Sequence, residues 1–341
     1  MAEKIVAIVA GAAALYFGQE IFAPLALALL FVAVFRPLVR WLASVRIPPP
    51  VSATLITITC LGLIVVGGVL LSRPVQDWVR HAPETLAAAR TKLQKLRKPV
   101  QQVSKAVEKV GEEVGVRQTG QAPGPGSGPE STALLSRVFG TTAGLVSGFI
   151  QILVLGFLIL ATGDLFHRKM AAVMPAPVKG TREATLHEAE GAVRHYLVVT
   201  ALINLGQGVV VGLAMWLIGM PNPVLWGVLT FVLEFLPYIG GVLMIVFLTI
   251  TAIATSEGLG PIVLPGATYL AITTVQNNVV SQFAYGNRLS LNPIVVLLGV
   301  LVGWFFWGVA GAFVAVPALA ALKVFADHCA PKSRLSVVLG E

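Results

Sequence analysis

The 341-residue chain carries 24 Lys and Arg against 16 Asp and Glu, a net charge of +8, and is 56% apolar and only 12% charged. An ordinary soluble domain has roughly 25% charged residues. At a mean hydropathy of +0.84, this chain lacks the polar residues to coat a water-facing surface, which excludes a string of soluble domains. Seventeen of the 40 charges fall between Arg73 and Arg137 and nine between Asp164 and Arg194. That distribution describes an all-α polytopic membrane protein with one polar insert and one polar loop. In such a protein a basic excess reflects Lys and Arg kept on the cytoplasmic side, so no nucleic-acid partner is expected. Cys60 lies in an apolar run and Cys329 in the tail, so no disulfide framework follows.

About eight membrane segments are predicted, at 4–20, 21–43, 51–72, 139–162, 196–218, 221–255, 260–283 and 292–325. Gln19, Glu20 and Pro24 supply the turn between the first two. Five blocks result: 1–72 with segments one to three, an extracytoplasmic insert at 73–138, segment four and a cytoplasmic loop at 139–195, a core at 196–325, and a cytoplasmic tail at 326–341. Orientation follows from Lys and Arg in the short loops. Arg36, Arg40 and Arg46 sit in one, and Arg168, Lys169, Lys179, Arg182 and Arg194 in another, while 219–221 carries no charge. Both termini are therefore expected in the cytoplasm. The insert, with 11 basic residues, opposes a naive count, but loops beyond about 60 residues translocate largely regardless of charge.

Within the insert, Leu86, Ala89, Leu93, Leu96, Val100, Val103, Val107, Val110 and Val114 alternate steps of three and four, a heptad stripe that Pro99 should kink. Packing on its own chain or bilayer and self-association between protomers both fit it. Residues 119–131, rich in Gly, Pro and Ser, form a linker with no core of their own.

The last third holds the most informative pattern. Asn222-Pro223 and Asn292-Pro293 each open an apolar stretch, Asn as N-cap and Pro at the first helical position. Breaks follow at matching offsets, at Leu236-Pro237-Tyr238-Ile239-Gly240-Gly241 and at Gly308-Val309-Ala310-Gly311. A continuous 33-residue helix would run about 50 Å, well beyond a hydrocarbon core of about 30 Å. Segments six and eight therefore read as broken or re-entrant hairpins. With one crossing segment between them they would enter from opposite sides, an inverted repeat of 196–255 and 260–325 as in secondary transporters. Two long, kinked spanning helices are the alternative.

Glu234 is the one acid well inside an apolar stretch, a costly placement that defaults to a functional reading. A carboxyl that only holds the hairpin together is the bland alternative. Gln276, Asn277 and Asn278 bring three amides into segment seven, fitted either to bind a polar solute or to glue helices. Asn204 and Gln207 favour the glue reading, and Gly206, Gly208 and Gly212 close packing. The candidate binding set is Glu234, Pro237, Tyr238, Gly240, Gly241, Gln276, Asn277, Asn278, Gly308 and Gly311. The five histidines show no metal-ligand spacing along the chain. With no nucleophile constellation and no phosphate loop, neither an enzyme nor a cofactor is expected.

Phe231–Met244, FVLEFLPYIGGVLM, resembles the (E/N)-F-(I/L)-P-x-I-G signature of the autoinducer-2 exporter family. Asn292–Lys323, with its G-x-x-G break and later A-V-P, resembles that family's final segment. His195-Tyr196 and Arg36-Pro37-Leu38 resemble further landmarks. The resemblance implies a bacterial inner-membrane secondary transporter of a small polar solute or ion, an exporter or else a Na⁺(Li⁺)/H⁺ antiporter. It also implies a homo-oligomer, a pentamer. A non-transporting scaffold for the external insert is the reading from a different class.

Overall fold

Inside hydrocarbon the backbone has no water to bond, so such a chain can cross only as helix or closed barrel. Every regular element among the described residues is helical. The structure, a computed structural model, describes residues 2–69, 72–73, 76, 142–173, 177–178, 180–285 and 291–329. The heptad stripe, the 119–131 linker and the tail past residue 329 lie outside them.

The helices are α1 (Ala2–Phe17), α2 (Gln19–Ser44), α3 (Pro49–Val69), α4 (Thr142–Ala161) and α5 (Asp164–Val173). They continue with α6 (Arg182–Ile218), α7 (Pro223–Leu233), α8 (Ile239–Thr255) and α9 (Leu259–Val275). A five-residue π-helix (Gln276–Val280) then joins α9 to α10 (Ser281–Tyr285), and α11 (Pro293–Cys329) ends the described chain. Four of these, α2, α3, α6 and α11, are long and apolar enough to cross a membrane, and the bent pair α4–α5 can count as a fifth. Their outer faces are apolar, with Leu217 76% and Phe305 72% exposed, which suits lipid and not water.

The polar loop contains more helix than the charge pattern suggests. α4 stops at Thr162-Gly163, where Gly163 takes a left-handed φ of +59°, and α5 leaves at 89° to it. α6 starts at Arg182, well before the apolar segment at 196, because Thr181 caps it by accepting from the Ala184 N–H at 3.2 Å. Its charged first turns form a polar extension of the spanning helix.

Both long apolar stretches fold back on themselves. In the first, α7 and α8 are separated by residues 234–238, with Tyr238 at a φ of +65°. Trp226 of α7 packs with Met244 and Leu248 of α8 in one buried cluster. In the second, length alone would admit a single span, but Trp307 (φ −133°) and Gly308 (φ +59°) are not helical. The backbones of Gly303 and Gly311 touch, and a Cβ at Gly299 would meet Leu319. Residues 8 and 20 positions apart cannot meet along a straight helix rising 1.5 Å per residue.

The Asn-Pro signals mark both starts, with Pro at the first helical position, but only one Asn caps as expected. Asn292 Oδ1 accepts from the Ile294 N–H at 2.9 Å. Asn222 is instead left-handed with no side-chain cap, and its carbonyl accepts from Leu225 N at 2.9 Å. α6 ends just before it on left-handed Gly219, so Asn222 serves the turn between two helices.

Candidate functional site

The break between α7 and α8 lies against the middle of α6. Gly208 and Gly227 allow this approach, since a Cβ on either would press on the other's carbonyl oxygen, and Gly212 faces Gly227 as well. Gly206 has no such neighbour and needs a different account. With its amide oriented by its hydrogen bonds, Asn204 donates to Thr200 O at 3.2 Å and accepts from the Phe235 N–H at 3.3 Å. It therefore supports backbone at the break, the glue role expected of it.

Gln207, one helical turn further on, meets the carboxylate. Its Nε2 donates to Glu234 Oε1 at 3.1 Å and to Thr273 Oγ1 at 3.0 Å. Glu234 Oε1 also accepts from the Tyr269 hydroxyl at 2.5 Å. Tyr269 is fully buried and Gln207 is 4% exposed. The carboxylate thus receives two hydrogen bonds from two other helices, in surroundings where an unpaired charge would cost several kcal/mol. Gly241 of α8 lies beside the same hydroxyl, its Cβ position 3.7 Å from Tyr269 Oη.

Gln207 and Gly206 also line a cavity of about 520 Å³ together with Gln276. Gly206 leaves room there that a side chain would fill. The amide oxygens of both glutamines are buried without a hydrogen-bond partner. Gln276 opens the π-helix, where the widened backbone turns its amide, with Nε2 donating to Ser281 Oγ at 2.8 Å. Such bulges often accompany functional sites.

Not every expected residue joins. Asn278 donates back to Thr274 O at 2.8 Å on its own helix, and Asn277 is exposed. Pro237, Tyr238 and Gly240 shape the break, Gly240 being buried against Leu233 O, and none of them is hydrogen-bonded to Glu234. Leu236 packs with Val300 and Ala312 of α11, so the first break touches the second hairpin. Gly311 is in that hairpin's close backbone contact, and the turn at Gly308 is tied to α1 by Trp307 Nε1 donating to Leu15 O at 2.9 Å. Tyr269 and Thr273 were missed by the sequence reading. One signal did exist: positions 269, 273 and 276 fall on one face of an otherwise apolar helix.

A second polar group lies at the opposite end of α6. Buried Arg36 donates through Nη1 to Glu190 Oε1 and Oε2 at 2.7 and 2.6 Å, and through Nη2 to Asp164 Oδ1 at 2.7 Å. Arg40 adds a 3.0 Å bond to Asp164. His328, at the end of α11, pairs with Glu188 at 3.2 Å. Arg36 and Arg40, expected in a loop, lie in the last turns of α2, so the end of α2, the segment around α5 and the end of α11 share one end of the molecule. Burial pushes the His167 imidazole below its ordinary value, with Glu190 opposing. Hydrogen bonds from Arg36 and then Arg40 hold Asp164 down at about 2 from an ordinary 3.8.

A carboxyl lowered on folding stabilises fully above its unfolded value and loses that contribution as pH falls through its folded one. Wild-type protein in detergent should therefore lose stability as pH falls from about 4 to about 2. Arg36→Gln should flatten the midpoint-against-pH curve in that window while lowering stability at neutral pH. An unchanged curve would show that Asp164 is not held by Arg36.

The AI-2E family transporter description matches residues 5–330. The chain is 26% identical to the AI-2 transport protein TqsA of Escherichia coli (strain K12) over 325 residues, 95% of this chain and 91% of that protein. It is 24% identical to YhhT of the same strain over 339 residues, 99% of this chain and 93% of the other. Similarity to YrrI of Bacillus subtilis (strain 168) is 28% over 200 residues, 55% of this chain and 56% of that one.

Proposed function

Since the chain belongs to the AI-2E transporter family, we propose that it is a secondary transporter that exports a small polar solute across the bacterial inner membrane, with Glu234 and Gln207 at its binding site. The observation that carries the reading is the cavity beside this pair. Gln207 and Gln276 both line it, and each keeps a buried amide oxygen without a donor. A solute bearing hydroxyl groups would supply those donors in passing, which favours a polyol, and the relative TqsA is named as an AI-2 transport protein. A membrane anchor for an external domain would need none of these groups.

On this reading the two hairpins are re-entrant and form an inverted repeat. Supporting this, α6 runs at its C-terminal end through Gly219–Asn222 into the first hairpin. Its N-terminal end lies beside the close of the second, where His328 meets Glu188 and the Val178 N–H donates to His328 O at 2.9 Å. The basic end faces the cytoplasm, both termini included, and the protein acts as a homo-oligomer, a pentamer as the resemblance implies. The test is flux from proteoliposomes loaded with autoinducer-2 or control polyols, with a pH dye and imposed Na⁺ or Li⁺ gradients. Efflux of a polyol above protein-free vesicles is expected. Movement of none of these solutes would overturn the proposal.

A further inference from the structure

We propose that His167, His187 and Glu190 form a binding site for a first-row divalent transition metal, Zn(II) being the ion that fits best. One ligand atom from each of the three lies within 4.8 Å of the other two. A tetrahedral zinc with bonds of 2.0–2.2 Å sets its ligands about 3.4 Å apart. Small side-chain rotations therefore close the site without moving a helix. Two imidazoles and one carboxylate suit zinc and its neighbours and not magnesium or calcium, which take oxygen ligands.

The three residues come from two helices. His187 and Glu190 stand three positions apart on one face of α6, and His167 faces them from α5. His167 Nε2 is buried and lacks a hydrogen-bond partner, its side chain 11% exposed and its nearest acid Glu190 Oε1 at 3.5 Å. Leaving a buried ring nitrogen unmatched costs free energy, and a metal would use it.

Arg36 does not block the site. It bonds both Glu190 oxygens, but each carboxylate oxygen has a second lone pair. Its own charge is also shared with Asp164 at 2.7 Å. Holding a ligating carboxylate in one orientation is the usual work of such an outer partner. Access is provided by a cavity of about 510 Å³ lined by Arg36, Asp164, His167 and Glu190, which leaves a fourth coordination position to water. The ion would staple α5, which leaves α4 at 89°, onto the helix that carries Gln207 about 25 Å away.

The experiment uses tag-free, chelator-treated full-length protein in detergent. Co(II) should give tetrahedral ligand-field bands at one ion per chain, discharged by Zn(II). His167→Ala and His187→Ala should each weaken Zn(II) binding by at least about tenfold. His328→Ala, in the separate pair with Glu188, should leave it unchanged. His187 is exposed, so His187→Ala should fold even where His167→Ala does not. Zn(II) should raise the unfolding midpoint of wild-type protein and not of His187→Ala. Absence of the Co(II) bands, or equal Zn(II) affinity in wild type and His187→Ala, would overturn the site.

Discussion

Glu234→Gln will assemble as the wild-type protein does and lose most of its flux, while Glu234→Ala will lose both flux and stability. Glu234 is the only acid between Arg194 and Glu257, and its Oε1 accepts from Tyr269 at 2.5 Å and Gln207 at 3.1 Å. Glutamine keeps an oxygen in the same place, so both donors stay satisfied and only the charge is removed. Alanine leaves a fully buried tyrosine hydroxyl and an amide without their acceptor, at about 1–3 kcal/mol for each stranded group. Size-exclusion profiles and unfolding midpoints in detergent separate assembly from activity, and the flux of the glutamine variant reads the charge. If Glu234→Gln transports as fast as the wild type, Glu234 is a structural hydrogen-bonder.

The largest stability effects should come from single methyl groups at the two breaks. A Cβ at Gly311 would overlap Gly303 O, and a Cβ at Gly240 would overlap Leu233 O. In each case the obstacle is backbone, which cannot rotate aside as a side chain can. Overpacking of this kind costs about 3 kcal/mol, the upper part of its usual range. Gly311→Ala and Gly240→Ala should therefore unfold at clearly lower temperature and express poorly. Gly62→Ala supplies the contrast, because nothing lies within 4 Å of its Cβ position. Higher helix propensity should make it neutral or stabilising by up to about 1 kcal/mol. Equal midpoints for Gly311→Ala and wild type would mean that the two arms of α11 do not touch.

Chain-local physics made much of the architecture legible in advance. An apolar run of sufficient length must be helical in lipid, so helices stand on the expected apolar runs, from α2 at Gln19–Ser44 to α11 at Pro293–Cys329, though α6 begins at Arg182, ahead of its run. The breaks were legible for the same reason: proline and glycine interrupt a helix wherever they stand, and Glu234 is conspicuous by its cost. Partnership was not legible. Nothing near Glu234 in the chain indicates that Gln207, 27 positions earlier, and Tyr269, 35 later, supply its hydrogen bonds, or that Asn277 and Asn278 turn away from it. His167 and His187 likewise have no ligand spacing along the chain, and the bend at Gly163 brings α5 back onto α6. Hydropathy and backbone preference act residue by residue, so the sequence alone determined where the helices lie and where they break. A hydrogen bond or a ligand set depends on distances between helices, which the glycine contacts of α6 with α7 and the fold of the two hairpins decided.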